Sequence, residues 1–126
     1  MNLNQVILPV TNMALAVDFY QTLGFELIVD TPHYTRFACP GEGATFSLTL
    51  ADEQDQQVEN PTVVYFEHEA LDEWVEELQN KKVQFEQLPT DKPYLWREAS
   101  LKDPSGNRLK LYWAGENRLN PPWRVK

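Results

Sequence analysis

Cysteine and concentrated positive charge are both scarce in this sequence of 126 residues. Cys39 is the single cysteine, so an intramolecular disulfide is impossible and a zinc site built from cysteines is excluded. Lys and Arg total 11 against 19 Asp and Glu, which gives a net charge of -8, and no basic run compensates locally. The chain therefore lacks the basic surface that binds a phosphate backbone, and we expect no nucleic-acid partner.

Long apolar runs are absent as well. No segment approaches the roughly 18 apolar residues of a membrane span, and the N-terminal stretch lacks the basic and apolar regions of a signal peptide. We expect no membrane partner, and the cysteine usage favours a reducing compartment, the cytoplasm. With 42% hydrophobic residues, the chain has enough apolar material for one domain with a core.

An internal repeat is the main feature that the sequence does have. VILPV at 6–10 predicts a short buried strand, and Thr11-Asn12 predicts a helix cap. MALAVDFYQTL then predicts an amphipathic helix that ends at Gly24. The pattern returns 58 residues later, where apolar residues recur at helical spacing from Leu71 to Leu78. The last strands match at an offset of 63, since GATFSLTLAD aligns with GNRLKLYWAG.

Each half therefore has the predicted order β-α-β-β-β. The inner strands are expected at about 25–29 and 33–39 in the first half, and at about 83–87 and 95–102 in the second. We predict an α+β fold in which two βαβββ modules in tandem form a curved mixed sheet around a central cup, because one helix covers only one face of each sheet. The predicted organisation is a single domain over 1–126, with modules at 1–52 and 62–115, a linker at 53–61 and a tail at 116–126.

The chain resembles the vicinal oxygen chelate superfamily, which contains glyoxalases, bleomycin resistance proteins and extradiol dioxygenases. The resemblance covers about residues 3–115. It is carried by the opening VILPVTNMALAVDFYQTLGFEL with its FY and LGF signature, by the turn DPSGN at 103–107, and by the internal repeat. It implies the fold but no single reaction, because the family contains isomerases, lyases, dioxygenases, thiol transferases and plain binding proteins.

The resemblance also implies where a metal ion would be bound. In the metalloenzymes of the family each half contributes two ligands, which correspond here to Gln5 and Ser47, and to Val63 and Lys110. None of these is the His or Glu of the metalloenzymes. Val63 has no ligating atom, and Lys110 would put an ammonium group beside a divalent cation. We therefore predict no metal and no cofactor.

Side-chain alternation along the strands predicts which residues line the cup. The lining is aromatic and polar, which suits a flat or partly charged organic molecule. The predicted ligand-binding residues are Gln5, Ser47, Tyr65, Glu67, Trp96, Glu98, Arg108, Lys110 and Tyr112; no catalytic residue is assigned. The face of Trp96 depends on the frame of its strand, because a shift of one residue reverses it. Trp74 and Trp113 are expected in the core.

Two roles are open for Lys110 from the sequence. It pairs with Glu67 or Glu98 across the cup, or it binds an anionic group of a ligand. His68 lies between two glutamates, but successive strand residues face opposite sides and do not converge on one ion. A role at the start of the following helix or on the surface is expected for His68.

The leading functional hypothesis is a metal-independent small-molecule-binding protein of the glyoxalase/bleomycin-resistance type, with an organic ligand in the cup between the two modules. The resemblance implies a homodimer. The alternative is a glyoxalase- or dioxygenase-like enzyme, that is, a lyase, isomerase or oxidoreductase with a non-standard or absent metal site. A third possibility is a structural or interaction module whose cup is filled by its own side chains.

Overall fold

Each half of the chain folds into one helix and one four-stranded mixed sheet in a computed structural model that describes residues 1–41, 43–52 and 57–126. Two compact units result. Unit 1 comprises Met1–Pro61 and Asp103–Asn107, and unit 2 comprises Thr62–Lys102 and Arg108–Lys126. Residues 53–56 of the predicted linker lie outside the described residues, and the division into one domain with a linker and a tail stays a prediction.

The two units repeat the same order of elements and the same strand topology. Unit 1 contains β1 (Gln5–Val10), α1 (Met13–Leu23), β2 (Glu26–Asp30), β3 (Tyr34–Ala38) and β4 (Thr45–Leu50). Unit 2 contains β5 (Val63–Glu67), α2 (Leu71–Asn80), β6 (Gln87–Asp91), β7 (Arg97–Lys102), β8 (Arg108–Trp113) and a 3₁₀ helix (Gly115–Arg118). The sheets have the orders β1-β4-β3-β2 and β5-β8-β7-β6, with the first pair of each parallel and the others antiparallel. The α+β class and the βαβββ modules are confirmed.

The helix α1 begins and ends where its sequence predicts. The Asn12 side chain accepts a hydrogen bond from the N–H of Leu15 at 3.0 Å, and Gly24 ends the helix with φ 110°. Tyr20 is completely buried and lies within 5.0 Å of the Phe46 ring and 5.8 Å of the Phe37 ring, measured between centroids. One face of the unit 1 sheet is thus packed against α1. Among the described residues, no helix has both the length and the apolar character needed to cross a membrane.

The inner strands of unit 2 differ from the prediction. Residues 83–85 are not a strand, and β6 begins at Gln87, because the backbone is still leaving α2 through a positive φ at Lys82. The strand β6 lies at the edge of the sheet, where a proline such as Pro89 is tolerated. The pairing of β6 with β7 shifts in register between Gln87 and Thr90. The next strand begins at 97 rather than 95, because Leu95 has φ 67° in a tight turn.

The two tryptophans expected in the core do not lie there. Trp113 is 38% exposed, because Leu109 and Leu111 already fill the buried face of β8 and the strand ends at Trp113. Trp74 is half-buried, and its ring lies 5.0 Å from the His68 ring. His68 accepts a hydrogen bond from the N–H of Ala70 at 2.9 Å, just before α2, as its predicted role at the helix start requires.

A buried carboxylate, that of Asp103, joins three segments of unit 1. One oxygen accepts the N–H groups of Ser105 and Asn107, each at 2.9 Å. The other accepts the Tyr20 hydroxyl at 2.7 Å and the Asn107 side-chain amide at 2.8 Å. The same Asn107 amide donates to the Pro9 carbonyl at 2.7 Å, and Gly106 has φ 95°, a conformation that glycine adopts without strain. The DPSGN turn is therefore part of the core of unit 1.

Replacing Tyr20 with Phe tests this network, because it removes one donor and leaves the Asp103 carboxylate buried. A hydrogen bond to a charged group contributes about 2 kcal/mol, and we expect a loss of that size in the free energy of unfolding measured with urea. Tyr65→Phe is the matched control, since Tyr65 is 38% exposed. Equal stability of the two variants would contradict the role of the network.

Candidate functional site

Strand register brings most of the predicted unit 2 site residues onto one face of its sheet. Tyr65 pairs with Lys110, and Lys110 pairs with Ser100 on the other side. Tyr112 lies in the same way between Glu67 and Glu98. This shared face is the one that strand alternation predicts. Arg108 and Glu67 occupy its ends and are exposed.

A charged pair, Glu98 and Lys110, lies at the centre of this face. The Lys110 Nζ is 2.7 Å from the Glu98 Oε2, and the Glu98 side chain has no exposed surface. Oε2 accepts no well-aligned hydrogen bond within the described part of the chain, so the pair is held by proximity and charge. The close contact with Glu98 raises the pKa of Lys110 despite the opposing effect of partial burial. Of the two partners left open by the sequence, Lys110 therefore contacts Glu98.

The second oxygen of Glu98 accepts a hydrogen bond from the Tyr94 hydroxyl. Burial, followed by this contact with Glu98, raises the pKa of Tyr94 to about 12. Tyr94 is not among the predicted ligand-binding residues, because the sequence predicts only a loop for its segment between β6 and β7. Its hydroxyl therefore stays protonated and donates to the carboxylate at neutral pH.

Aromatic rings cover the charged pair. The Trp96 ring stacks on the Tyr112 ring with centroids 4.8 Å apart, and it meets the Tyr65 ring edge-on at 5.6 Å. The Lys110 ammonium lies 5.6 Å from the centre of the Tyr65 ring, within cation–π range. Trp96 precedes β7, but its ring lies with the predicted site residues. The sequence leaves open on which face of the sheet Trp96 lies, and the structure places it on the face of Tyr65 and Tyr112.

An open cavity of about 360 Å³ lies beside these rings. It is lined by Tyr65, Tyr94, Trp96, Asn117, Arg118, Pro121 and Trp123. Trp96 Nε1 donates to the Asn117 carbonyl at 3.4 Å, so the segment after β8 forms one wall. The described lining includes one cationic side chain, that of Arg118, and no acidic one. We call this space the aromatic cavity.

The predicted site residues of unit 1 form a hydrogen-bonded chain. Gln5 Nε2 donates to Ser47 Oγ at 2.7 Å, and Ser47 Oγ lies 2.6 Å from the Tyr34 hydroxyl. The phenolic oxygen of Tyr34 also accepts from Arg36 Nε at 3.2 Å and Nη2 at 3.0 Å. These bonds, that from Ser47 first and those from Arg36 second, lower the pKa of Tyr34.

Tyr34 and Arg36 are absent from the sequence-based list of site residues. Strand alternation could have identified them, because they alternate with the buried Thr35 and Phe37 on β3. Their register with β4, in which Arg36 pairs with Ser47, places them on the face of the unit 1 sheet opposite α1. We call this the open face of unit 1.

The residues at the metal-ligand positions of the family do not fit a divalent cation. In unit 1, Gln5 and Ser47 are neutral and bond to each other. In unit 2, Val63 has no donor atom, and Lys110 carries an ammonium group bound to Glu98. Within 1–41, 43–52 and 57–126 there is no group of three or more His, Cys, Asp or Glu side chains that could hold a metal ion.

Comparisons with known proteins agree with this fold. The family model described as the glyoxalase/bleomycin resistance protein/dioxygenase superfamily matches residues 2–111. A solved glyoxalase/bleomycin resistance protein/dioxygenase from Nocardioides is similar with a TM-score of 0.77 at 20% identity, covering 100% of this chain and 90% of that one. None of the curated proteins that were compared matches the chain.

Two further solved structures have different functions in their names. A lactoylglutathione lyase from Agrobacterium tumefaciens has a TM-score of 0.70 at 17% identity, covering 89% of this chain and 92% of that one. A bleomycin-binding protein in complex with bleomycin has a TM-score of 0.72 at 15% identity, covering 90% and 98%. At these identities the similarity establishes the fold and leaves the activity open.

Replacing Lys110 with Met tests the charged pair, because it leaves the Glu98 carboxylate buried without its counter-ion. We expect a loss of about 2 kcal/mol in the free energy of unfolding, and recovery of most of it in the double variant Glu98→Gln, Lys110→Met. Arg108→Met, on the same strand but exposed, is the control. A double variant that loses the sum of both single effects would contradict the coupling.

The Glu98 and Lys110 pair also predicts how the difference in stability between the wild type and Lys110→Met changes with pH. Because folding raises the pKa of Lys110, the stability that the pair contributes is present below the ordinary lysine pKa and is lost as the pH rises through the raised value. The difference between the wild type and Lys110→Met should stay constant on the alkaline side of neutrality and shrink only in strongly alkaline solution.

Proposed function

The chain belongs to the glyoxalase/bleomycin resistance protein/dioxygenase superfamily, and from that premise we propose that it binds a flat, anionic organic molecule without a metal ion. The observation that carries this proposal is the aromatic cavity of unit 2, with Trp96 stacked on Tyr112 and Arg118 in its wall. Aromatic surfaces bind flat rings by stacking, and a guanidinium selects carboxylates and similar anions.

The charges around the cavity favour an anion over a cation. Glu98 is already neutralised by Lys110, whereas Arg118 lines the cavity and its described lining has no acidic side chain. A ligand carboxylate therefore gains an attractive partner, and a ligand ammonium does not.

The other predicted ligand contacts do not line the aromatic cavity. Lys110 carries three N–H donors, and its contact with Glu98 engages only one side of the ammonium group. Gln5 and Ser47 of unit 1, and Glu67 and Arg108 at the ends of the unit 2 face, stay predicted ligand contacts. The cup between the modules, the homodimer and the cytoplasmic location also stay predictions.

A pair of ligands that differ only in charge tests the proposal. We expect 1-naphthoate to bind at least about tenfold more tightly than 1-naphthylmethylamine, measured by isothermal titration calorimetry, since a tenfold ratio corresponds to about 1.4 kcal/mol. Trp96→Ala should weaken naphthoate binding by about tenfold through lost stacking, and Arg118→Gln should abolish the preference for the anion. Trp113→Ala and Arg124→Gln, outside the lining, are the matched controls.

Two results would overturn this proposal. Tighter binding of the amine would show that the charge assignment is wrong. Binding of neither compound, with no change in thermal stability at millimolar ligand, would favour the structural or interaction module instead, because a ligand at 100 times its Kd adds about 2.7 kcal/mol of stability.

The alternative is a glyoxalase- or dioxygenase-like enzyme with a non-standard or absent metal site. Metal analysis of protein purified without chelators separates the two functions. The proposal predicts metal far below one ion per chain and naphthoate affinity that does not change after treatment with EDTA. Near-stoichiometric nickel, zinc, iron or manganese, lost together with ligand binding, would replace the proposal by the metalloenzyme.

A further inference from the structure

Tyr34 differs from the other tyrosines in the number of hydrogen-bond donors around its phenolic oxygen. The Arg36 guanidinium cannot act as an acceptor, so its bonds at 3.2 and 3.0 Å are both donated to that oxygen. Ser47 Oγ lies 2.6 Å away as a third polar neighbour. An oxygen that accepts from a cation and a hydroxyl together is stabilised most in its ionised form.

The hydrogen-bond chain behind Ser47 directs a third donor to the same oxygen. The Thr45 hydroxyl donates to Gln5 Oε1, which orients the amide so that Nε2 donates to Ser47 Oγ at 2.7 Å. Because the amide occupies an acceptor position of Ser47, the serine proton is available for the Tyr34 oxygen. Ser47, at the centre of this chain, is completely buried, whereas Gln5 at its start is exposed.

The charged groups near Tyr34 also favour its ionised form. The strands β1, β3 and β4 contain no acidic residue. On the neighbouring β2, Glu26 pairs with Ala38 at the far end of β3, and Asp30 pairs with Thr35, whose side chain points to the opposite face. Arg36 is therefore the charge that acts on Tyr34 from these strands. The pKa of Tyr34 is lowered, whereas burial raises the pKa of Tyr112 and of Tyr20.

We propose that Tyr34 is an acid–base site that removes the proton of a weakly acidic hydroxyl group, that of a phenol or an enol, on a ligand bound at the open face of unit 1. In this step the ligand O–H bond breaks, its electron pair stays on the ligand oxygen, and the proton forms the O–H bond of Tyr34. The reverse step returns the proton. Phenols and enols are the matching class because proton transfer is efficient between groups of similar acidity.

This inference is independent of the aromatic cavity, since it uses residues of unit 1 alone. It assigns a function to Gln5 and Ser47, which occupy family metal positions and bind each other instead. It also gives the alternative enzyme function an acid–base group that needs no metal ion.

Titration of the tyrosines tests the ionisation directly, by the ultraviolet absorbance of phenolate and by NMR of tyrosine labelled at the ring carbon that bears the hydroxyl. We expect one of the five tyrosines to ionise at lower pH than free tyrosine, and this step to disappear in Tyr34→Phe. Arg36→Gln and Ser47→Ala should each raise its midpoint, because each removes a donor that stabilises the ionised form. Tyr65→Phe, on the other sheet, should retain the step.

Binding of 4-nitrophenol, whose colour reports its own proton, tests the ligand class. The wild type should bind it with an affinity that depends on pH, and Tyr34→Phe should lose about tenfold in affinity together with that dependence. An early ionisation that survives in Tyr34→Phe, or no early ionisation at all, would overturn the acid–base site. Equal binding by both proteins, or binding by neither, would overturn the ligand class, whatever the outcome for naphthoate in unit 2.

Discussion

The buried carboxylate of Asp103 is the interaction on which the architecture of unit 1 depends. It joins the turn at 103–107 to α1 through Tyr20 and to the end of β1 through Asn107. A carboxylate with 4% exposure is tolerated because each of its oxygens accepts two hydrogen bonds. With α1 packed against one face of the sheet, the polar side chains Tyr34, Arg36 and Ser47 of β3 and β4 occupy the other face.

Each unit has a cationic side chain among its predicted site residues or their neighbours, but the two cations have different partners. In unit 1 the Arg36 guanidinium donates to the Tyr34 oxygen, and in unit 2 the Lys110 ammonium contacts the Glu98 carboxylate. A guanidinium and an ammonium donate hydrogen bonds but offer no coordination sites. The interactions that these two cations make on their sheet faces are therefore hydrogen bonding and charge pairing, and both of our proposals are built on them.

The sequence predicts this arrangement well where short-range chemistry decides the structure. Local rules predict a helix cap within Thr11-Asn12, the end of the helix at Gly24 and the alternation of side chains along β8. All three are present, with the cap at Asn12. The start of β6 and the exposure of Trp113 were predicted wrongly, because they depend on how the chain leaves α2 and on where a strand ends. Tyr34 is a different case, since its position follows from alternation but its acidity comes from Arg36 and Ser47 together, which only the sheet register brings into contact.

Our proposal gives the Glu98 and Lys110 pair a role in recognition rather than in stability. Burying a charged pair often costs more in desolvation than its attraction returns, so such a pair is weak evidence of a stabilising role. Its electrostatic effect is more direct: it neutralises the buried Glu98 carboxylate, and Arg118 is the charged side chain in the described lining of the aromatic cavity. If Glu98 were unpaired, the same rings would favour a cation. The lysine at a family metal position thus pairs with the buried carboxylate of the same sheet face, and our proposal derives the sign of the ligand charge from that pairing.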